Sequence, residues 1–182
     1  MKSGLTVRAN NAQSILDALK SIAKKDVLVG IPGEDSQRDD VPFGNAGIGY
    51  INENGSPEQN IPARPHLKPG VSSVQDKTLP LLKQAAQKAL EGDVAAAERA
   101  LNHAGTVAAD GVRRYITTAG FTPLAHSTIA ARARRGRKGA IAEMESRAAG
   151  NAPDNSNARP LIDTGEYRRS ITYIVRDKDA DA

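Results

Sequence analysis

DVAAAERALNHAGTVAADGVRRYITTA, residues 93–119, is the stretch around which the chain is organised. Apolar or small residues recur at Val94, Ala97, Leu101, Ala104, Ala108, Val112, Tyr115 and Ala119. The steps are three or four throughout, so these side chains line one face of a helix. Gly92 ends what precedes it, and Asp93 can cap the free N–H groups of the first turn. Gly120 is placed to close the helix as a left-handed residue, with Pro123 soon after. At ~1.5 Å rise per residue the rod spans about 40 Å, the width of a small domain. Its stripe is narrow and mostly alanine, so partners must approach closely. Gly105 and Gly111 weaken it as a free helix by ~1 kcal/mol each relative to alanine, so it depends on tertiary packing.

The remaining composition suits a single domain of 182 residues with appendages. Apolar residues make up 39%, and the aromatics are only Phe43, Tyr50, Tyr115, Phe121, Tyr167 and Tyr173. The core is therefore modest, and part of the chain is expected to be buried against partners. No apolar run approaches the ~20 residues of a membrane span, and the N-terminus lacks a signal-peptide core. The chain has no cysteine, which excludes disulfide and thiolate chemistry. The net charge of +4 is mild.

Working outward from the long helix, the first helix is expected through about Lys24, capped by Asn10 or Asn11, with Ile15, Leu16, Leu19 and Ile22 as its apolar face. VLVGIP then predicts a strand over 27–31, stopped by Pro32. Residues 33–49 are polar and glycine-rich, a loop. A short helix over about 46–54 with Gly55 as its stop is preferred to a strand over 49–52. Pro62, Pro65 and Pro69 favour extended chain. Val71, Val74, Leu79, Leu82, Ala85, Ala89 and Leu90 predict a helix to Glu91, kinked or restarted after Thr78 because of Pro80. Only Gly92 separates it from the long helix, so the two should form an antiparallel hairpin.

Residues 125–159 hold almost no large apolar side chain and read as an extended basic arm. Arg132, Arg134, Arg135, Arg137 and Lys138 place five positive charges in seven residues. They could contact phosphate or an acidic protein surface, or stay solvated. No aromatic is interleaved, so base stacking is not indicated. Structure resumes at PLIDTGEYRRSITYIVR, with Asp163 or Thr164 capping one helical turn and a strand over 170–176. DKDADA, 177–182, is a solvated acidic tail.

The motifs that suggest catalysis are weak. LIDTG, 161–165, resembles the Asp-Thr-Gly of aspartic proteases, in which paired carboxylates activate a water. That fold needs several strands after the motif, and only 17 residues follow here. A helix cap followed by a glycine turn is the better reading. Gly44, Gly47 and Gly49 do not match a nucleotide-binding loop. His66, His103 and His126 lie on separate segments without metal-ligand spacing. No catalytic residue, cofactor or metal ligand is assigned.

Two segments together resemble the signature stretches of a bacteriophage family. IPARPHLKPG (61–70) contains Ile61, Pro62, Arg64 and Pro65, and RPLIDTGEYRRSITYIV (159–175) contains Pro160, Leu161, Asp163, Thr164 and Gly165. Both are similar to blocks of the tail-completion, or neck, proteins of long-tailed phages. Members place an Asn-Glu-aromatic-Gly stretch before the first block, and here it stands as Asn52, Glu53, Asn54 and Gly55. Pro123, Leu124, Thr128, Ile129 and Arg132 match a third segment, and the resemblance covers about 45–175. It implies an α+β fold, with helices, including the one over about 93–119, packed on a small, largely antiparallel sheet, and with long extended loops. It also implies a structural virion protein without enzymatic activity. Its copies would form a ring, six-fold to match a tail tube, in the neck of a virion assembled in the host cytoplasm. The partners would be the head-side connector or adaptor and the tail terminator or tail tube protein. The basic cluster would face acidic partner surfaces or genomic DNA in the lumen, and no membrane is involved. A tail terminator capping the tube and a basic nucleic-acid-binding module are the alternatives.

Overall fold

The computed structural model describes residues 12–33, 36–38 and 43–178. In chain order the elements are α1 (Ala12–Ala23), β1 (Lys25–Gly30), α2 (Gly44–Asn54), α3 (Leu67–Ser72), α4 (Gln75–Leu90), α5 (Val94–Thr118), α6 (His126–Arg134), α7 (Lys138–Ala148), α8 (Glu166–Ser170) and β2 (Thr172–Asp177). The fold is α+β. β1 and β2 form one antiparallel pair, in register Val27 to Val175 and Val29 to Tyr173.

The long helix α5 is the hub, touching α3, α4, α8 and both strands. Its start follows from sequence, since the Asp93 carboxylate accepts the Ala96 N–H at 2.9 Å. Its buried stripe runs through Ala97, Ala100, Leu101, Ala104, Ala108, Ala109 and Val112 to Ile116. Two expectations change at its ends. Val94 is exposed, and the fully buried residue of the last turn is Ile116 in place of Tyr115. The helix also closes without a left-handed glycine, because Ala119 leaves in extended conformation at φ −66° and ψ 145°. Tyr115 and Phe121 then meet edge to face, 6.1 Å between ring centroids.

α4 and α5 form the expected hairpin across Gly92, whose φ of +84° suits glycine. The helix before that turn breaks between α3 and α4, at Ser73 and Val74, instead of at Pro80. Pro80 sits inside α4 on an exposed face and removes one hydrogen bond near the helix start.

The sheet covers α5 with one face. Val27 and Val175 pack on Ala85, Ala100 and Leu101, and the Tyr173 ring lies over Gly105. On the other face the cross-strand pair Leu28 and Ile174 stays exposed. The chain after Asp177 gives one more pairing, Lys178 N–H to the Lys24 carbonyl at 2.6 Å. The rest of the acidic tail lies outside the described residues.

α1 departs from its expected packing. Ile22 packs against the α4–α5 hairpin, but Ile15, Leu16 and Leu19 are 42%, 50% and 43% exposed. The Asn10 or Asn11 cap lies outside the described residues. α2 begins at Gly44, slightly earlier than the preferred helix, and shortens the loop that precedes it.

The segment 125–159 is the main correction. It holds two helices, α6 and α7, joined at Gly136 with φ +74°. They enclose a small core of Leu124, Ile129, Ala140 and Ala158, with Ala133 and Met144 against it. At its centre Glu143 is 1% exposed. Its carboxylate accepts from Arg147 Nε at 2.8 Å, Asn157 Nδ2 at 3.2 Å and the Asp154 backbone N–H at 3.4 Å. Arg147 also donates to the Leu124 carbonyl at 3.0 Å. Two apolar anchors, two alanines and a polar hub thus replace the larger apolar core whose absence suggested an arm.

Candidate functional site

The three segments that carry the family resemblance line one cavity of about 560 Å³. It is bounded by α2, the 60–64 segment, the approach to α6, and 161–165. The first wall is built by chain crossing. Gly55 turns the backbone at φ +77°, and an added Cβ would strike Ala63 N at 2.8 Å. Ser56 and Ile61 pair as an isolated bridge, and the Arg64 N–H donates to the Asn52 carbonyl at 2.6 Å. The returning chain is then fixed by Glu53. Its carboxylate accepts the backbone N–H groups of His66 at 2.7 Å, Leu67 at 3.0 Å and Lys68 at 3.4 Å. These are orphan donors at the start of α3, and a negative charge is favoured there.

Beneath this wall His66 is fully buried. Its Nδ1 lies 2.8 Å from the Arg64 carbonyl and 3.1 Å from Glu53 Oε2, both acceptors, so Nδ1 carries the proton. Nε2 therefore accepts from the Tyr167 hydroxyl. Burial holds the His66 pKa below its ordinary value, against the raising effects of the Arg64 carbonyl and Glu53. Burial, reinforced by Glu53, raises that of Tyr167. Full burial keeps solvent and ligands from Nε2, so the Glu53–His66–Tyr167 array acts as a brace between α2, α3 and α8.

The brace makes stability depend on pH. The folded His66 pKa is depressed, so its contribution is complete above the unfolded value of about 6.5 and is lost as pH falls from there toward the folded value. Denaturant titrations of wild type between pH 7 and 5 should show falling stability. The His66→Gln variant should be less stable at pH 7 and flatter across that window; equal slopes would remove His66 as the cause.

The second wall is the 159–165 segment. Pro160 is fully buried, and Leu161 adopts a left-handed φ of +62°, rare for a branched apolar residue. Arg132 Nη1 clamps the carbonyls on both sides, Arg159 at 3.0 Å and Ile162 at 2.7 Å, and so holds that turn. Asp163 is gripped by Arg135 at 2.8 Å and Arg137 at 3.1 Å, with Arg132 Nε at 3.9 Å. The expected Asp163 cap is thus replaced. Gly165, at φ +81°, holds the cap position of α8, and Thr164 Oγ1 accepts the Glu166 N–H at 3.2 Å.

These contacts change the reading of the basic run. Arg132 is turned inward onto backbone carbonyls, where burial lowers its pKa, and Arg135 and Arg137 are paired with Asp163 at the surface. Only Arg134 and Lys138 are exposed without a hydrogen bond or ion pair to the described residues. The open basic surface is elsewhere. Arg113, Arg114, Arg168 and Arg169 surround a depression of about 620 Å³ with Thr117 and Thr118, and no acidic side chain lines it. Arg168 donates to Thr117 Oγ1 at 2.9 Å, and Arg113 pairs with Asp110 at 2.8 Å. Two Arg-Arg pairs, 113–114 and 168–169, carried the signal in the sequence, but only the fold shows that they converge.

Arg64 is 6% exposed, and its Nε donates to the Thr122 carbonyl at 3.2 Å. Its Nη groups make no hydrogen bond to any described residue, and no carboxylate pairs with it. Burial lowers its pKa. Pro62 lines the cavity mouth, and Pro65 is exposed.

Among the described residues no three or more His, Cys, Asp or Glu side chains are grouped to hold a metal. No helix among them is long and apolar enough to cross a membrane. No protein-family model, curated protein or solved structure matches the chain.

Proposed function

We propose that the chain is a structural subunit of a phage neck, a tail-completion protein whose copies close into a ring between the head-side connector and the tail. The observation that carries this reading is the uncovered apolar face of α1. Ile15, Leu16 and Leu19 form a stripe at helical spacing and are left about half exposed, and the Leu28–Ile174 pair is exposed on the sheet. Contiguous apolar surface of this kind marks protein interfaces. Among the described residues the sheet has two strands and neither outer edge is paired, which a neighbour can extend. A heterologous contact repeated around an axis closes a ring. The residues quoted for the resemblance support the reading further, because most of them line one cavity instead of scattering over the surface.

The test is assembly. Ile15→Asp, Leu16→Asp and Leu19→Asp together should leave the melting temperature of the isolated subunit nearly unchanged, since substitutions on exposed faces shift stability by about ±0.5 kcal/mol each. The same variant should fail to enter particles, as read by mass spectrometry of purified virions and by cryo-EM of the neck. Normal incorporation would overturn the reading. A position at the distal end of the neck, capping the tube, would make the subunit a tail terminator.

A second reading rests on Arg113, Arg114, Arg168 and Arg169. An acid-free basic depression suits the phosphate backbone, whose binding is salt-dependent through counterion release. In the ring it would face DNA in the lumen. Tight, salt-sensitive duplex binding by the isolated subunit, lost on reversing Arg114 and Arg168, would favour a nucleic-acid-binding module instead.

A further inference from the structure

Arg64 has no carboxylate partner among the described residues. A buried charge is normally paired, because desolvation costs more than the remaining contacts return. Here Arg64 as a residue is 6% exposed and lines the cavity, its Nε donates to the Thr122 carbonyl, and its Nη groups make no hydrogen bond to any described residue. Arg38 and Arg132 add two more guanidinium groups to the same lining, and Arg132 is close enough to Arg64 for the two to repel. Among the described residues Asp163 is the single carboxylate in that lining, and Arg135 and Arg137 already hold it. Glu53, the nearest acid of the first block, is committed to the start of α3. The described lining is therefore positive, and the Nη donors of Arg64 are unspent on it.

We propose that this cavity is a socket for an acidic side chain of another protein subunit, carried beside an apolar residue on an extended segment. A carboxylate matches the planar fork of Arg64 in two parallel hydrogen bonds. Ile48, Ile51, Ile61 and Leu124 line the same space and suit an apolar neighbour of that acid. The volume lies in the range of sites that enclose a small ligand or a few side chains. Shape argues against duplex DNA: its phosphates lie on a convex surface, whereas Arg64 is 6% exposed and lines a cavity. The inference stands on the unpaired guanidinium and holds whatever assembly the subunit enters.

The probe is an acetylated, amidated heptapeptide, Gly-Ser-Leu-Asp-Leu-Ser-Gly, compared with its Leu-Asn-Leu counterpart by calorimetry and by the Arg64 side-chain NMR signals. Wild type should bind the Asp peptide about tenfold or more tighter than the Asn peptide, as expected for a charge-assisted bond to a desolvated group. Arg64→Met should erase that ratio while the unliganded variant melts no lower than wild type, because an uncompensated buried charge has been removed. Arg64→Lys keeps the charge without the fork, and should lose most but not all of the preference. Equal binding of the two peptides by wild type overturns the proposal. So does displacement of the Asp peptide by inorganic phosphate or duplex DNA at equal concentration. A large fall in the melting temperature of Arg64→Met, with Arg64→Lys keeping full stability and no peptide preference, makes Arg64 a structural pin to Thr122 and also overturns it.

Discussion

Gly70→Ala should destabilise the chain by about 2 kcal/mol, the remainder of an overpacking cost of about 3 kcal/mol against a helix-propensity gain of ~1 kcal/mol. A Cβ on Gly70 would lie 2.6 Å from the Cα of Val112, a backbone atom in the middle of α5. No side-chain rotation relieves that contact, so α3 would have to move off α5. Gly111 faces the same crossing, since its Cβ would meet Val74 Cγ2 at 2.7 Å and the Gly70 carbonyl at 2.9 Å. Thermal unfolding should show Gly70→Ala melting about 6 °C below wild type. Gly111→Ala should also lower the melting temperature, opposite in sign to its propensity. The double variant should fall short of the sum, because the first displacement makes room for the second. Gly105→Ala should also destabilise, since a Cβ there would strike the root of the Tyr173 ring, which the β1–β2 pairing and the Asn102 hydrogen bond hold in place. Gly120→Ala is the control: nothing lies within 4 Å, and its backbone is outside the left-handed region. If Gly70→Ala raised the melting temperature as Gly120→Ala can, the close crossing of α3 and α5 would be wrong.

The same glycines show where sequence stops informing. The stripe of α5 and the Asp93 cap were legible because both depend on residues within a turn or two of each other. The two strands were legible for a similar reason, since Val27, Val29, Tyr173 and Val175 alternate on one face. Gly105 and Gly111 were read by local propensity as weak points, whereas the fold uses them as the places where a helix and an aromatic ring come nearest. Residues 125–159 were misread for a related reason. Composition counts large apolar residues, but the α6–α7 core rests on Ile129, Leu124 and alanines. Its interior also holds a charged pair, Glu143 and Arg147, whose i,i+4 spacing looks in sequence like any exposed helix pair. Arg132, Arg135 and Arg137 likewise found their acid about thirty residues away, at Asp163. The resemblance quoted the residues of the cavity walls, but no local pattern could indicate that Arg64 would lack a counter-charge. That is a property of what the other elements do not bring near it.

Glu143→Ala should be the most damaging single substitution in the 126–160 region, costing about 3–5 kcal/mol, the range for breaking a buried ion pair by removing one partner. It would leave Arg147, whose side chain is 11% exposed, with only the Leu124 carbonyl. It would also free the donors of Asn157 and Asp154. Glu143→Gln keeps the shape and some hydrogen bonds while losing the charge, so it should be milder. Burial pushes the Glu143 pKa up, but the Arg147, Asn157 and Asp154 donors outweigh it, and the folded value lies below the ordinary one. The sign follows: the carboxylate contributes fully above the unfolded value of about 4.3, and that contribution is lost as pH falls through the folded value. Because α6 and α7 pack mainly on each other around a separate core, the loss should appear locally before it appears globally. Hydrogen exchange in Glu143→Ala should therefore accelerate across α7 while the central amides of α5 keep their protection. At pH 3 wild type should begin to show the same local opening, and Glu143→Gln should show it already at pH 7 with little further change on acidification. Uniform loss of protection in α5 and α7 together would mean that the α6–α7 hairpin is no separate unit, and unchanged exchange in both would mean that Glu143 does not hold it.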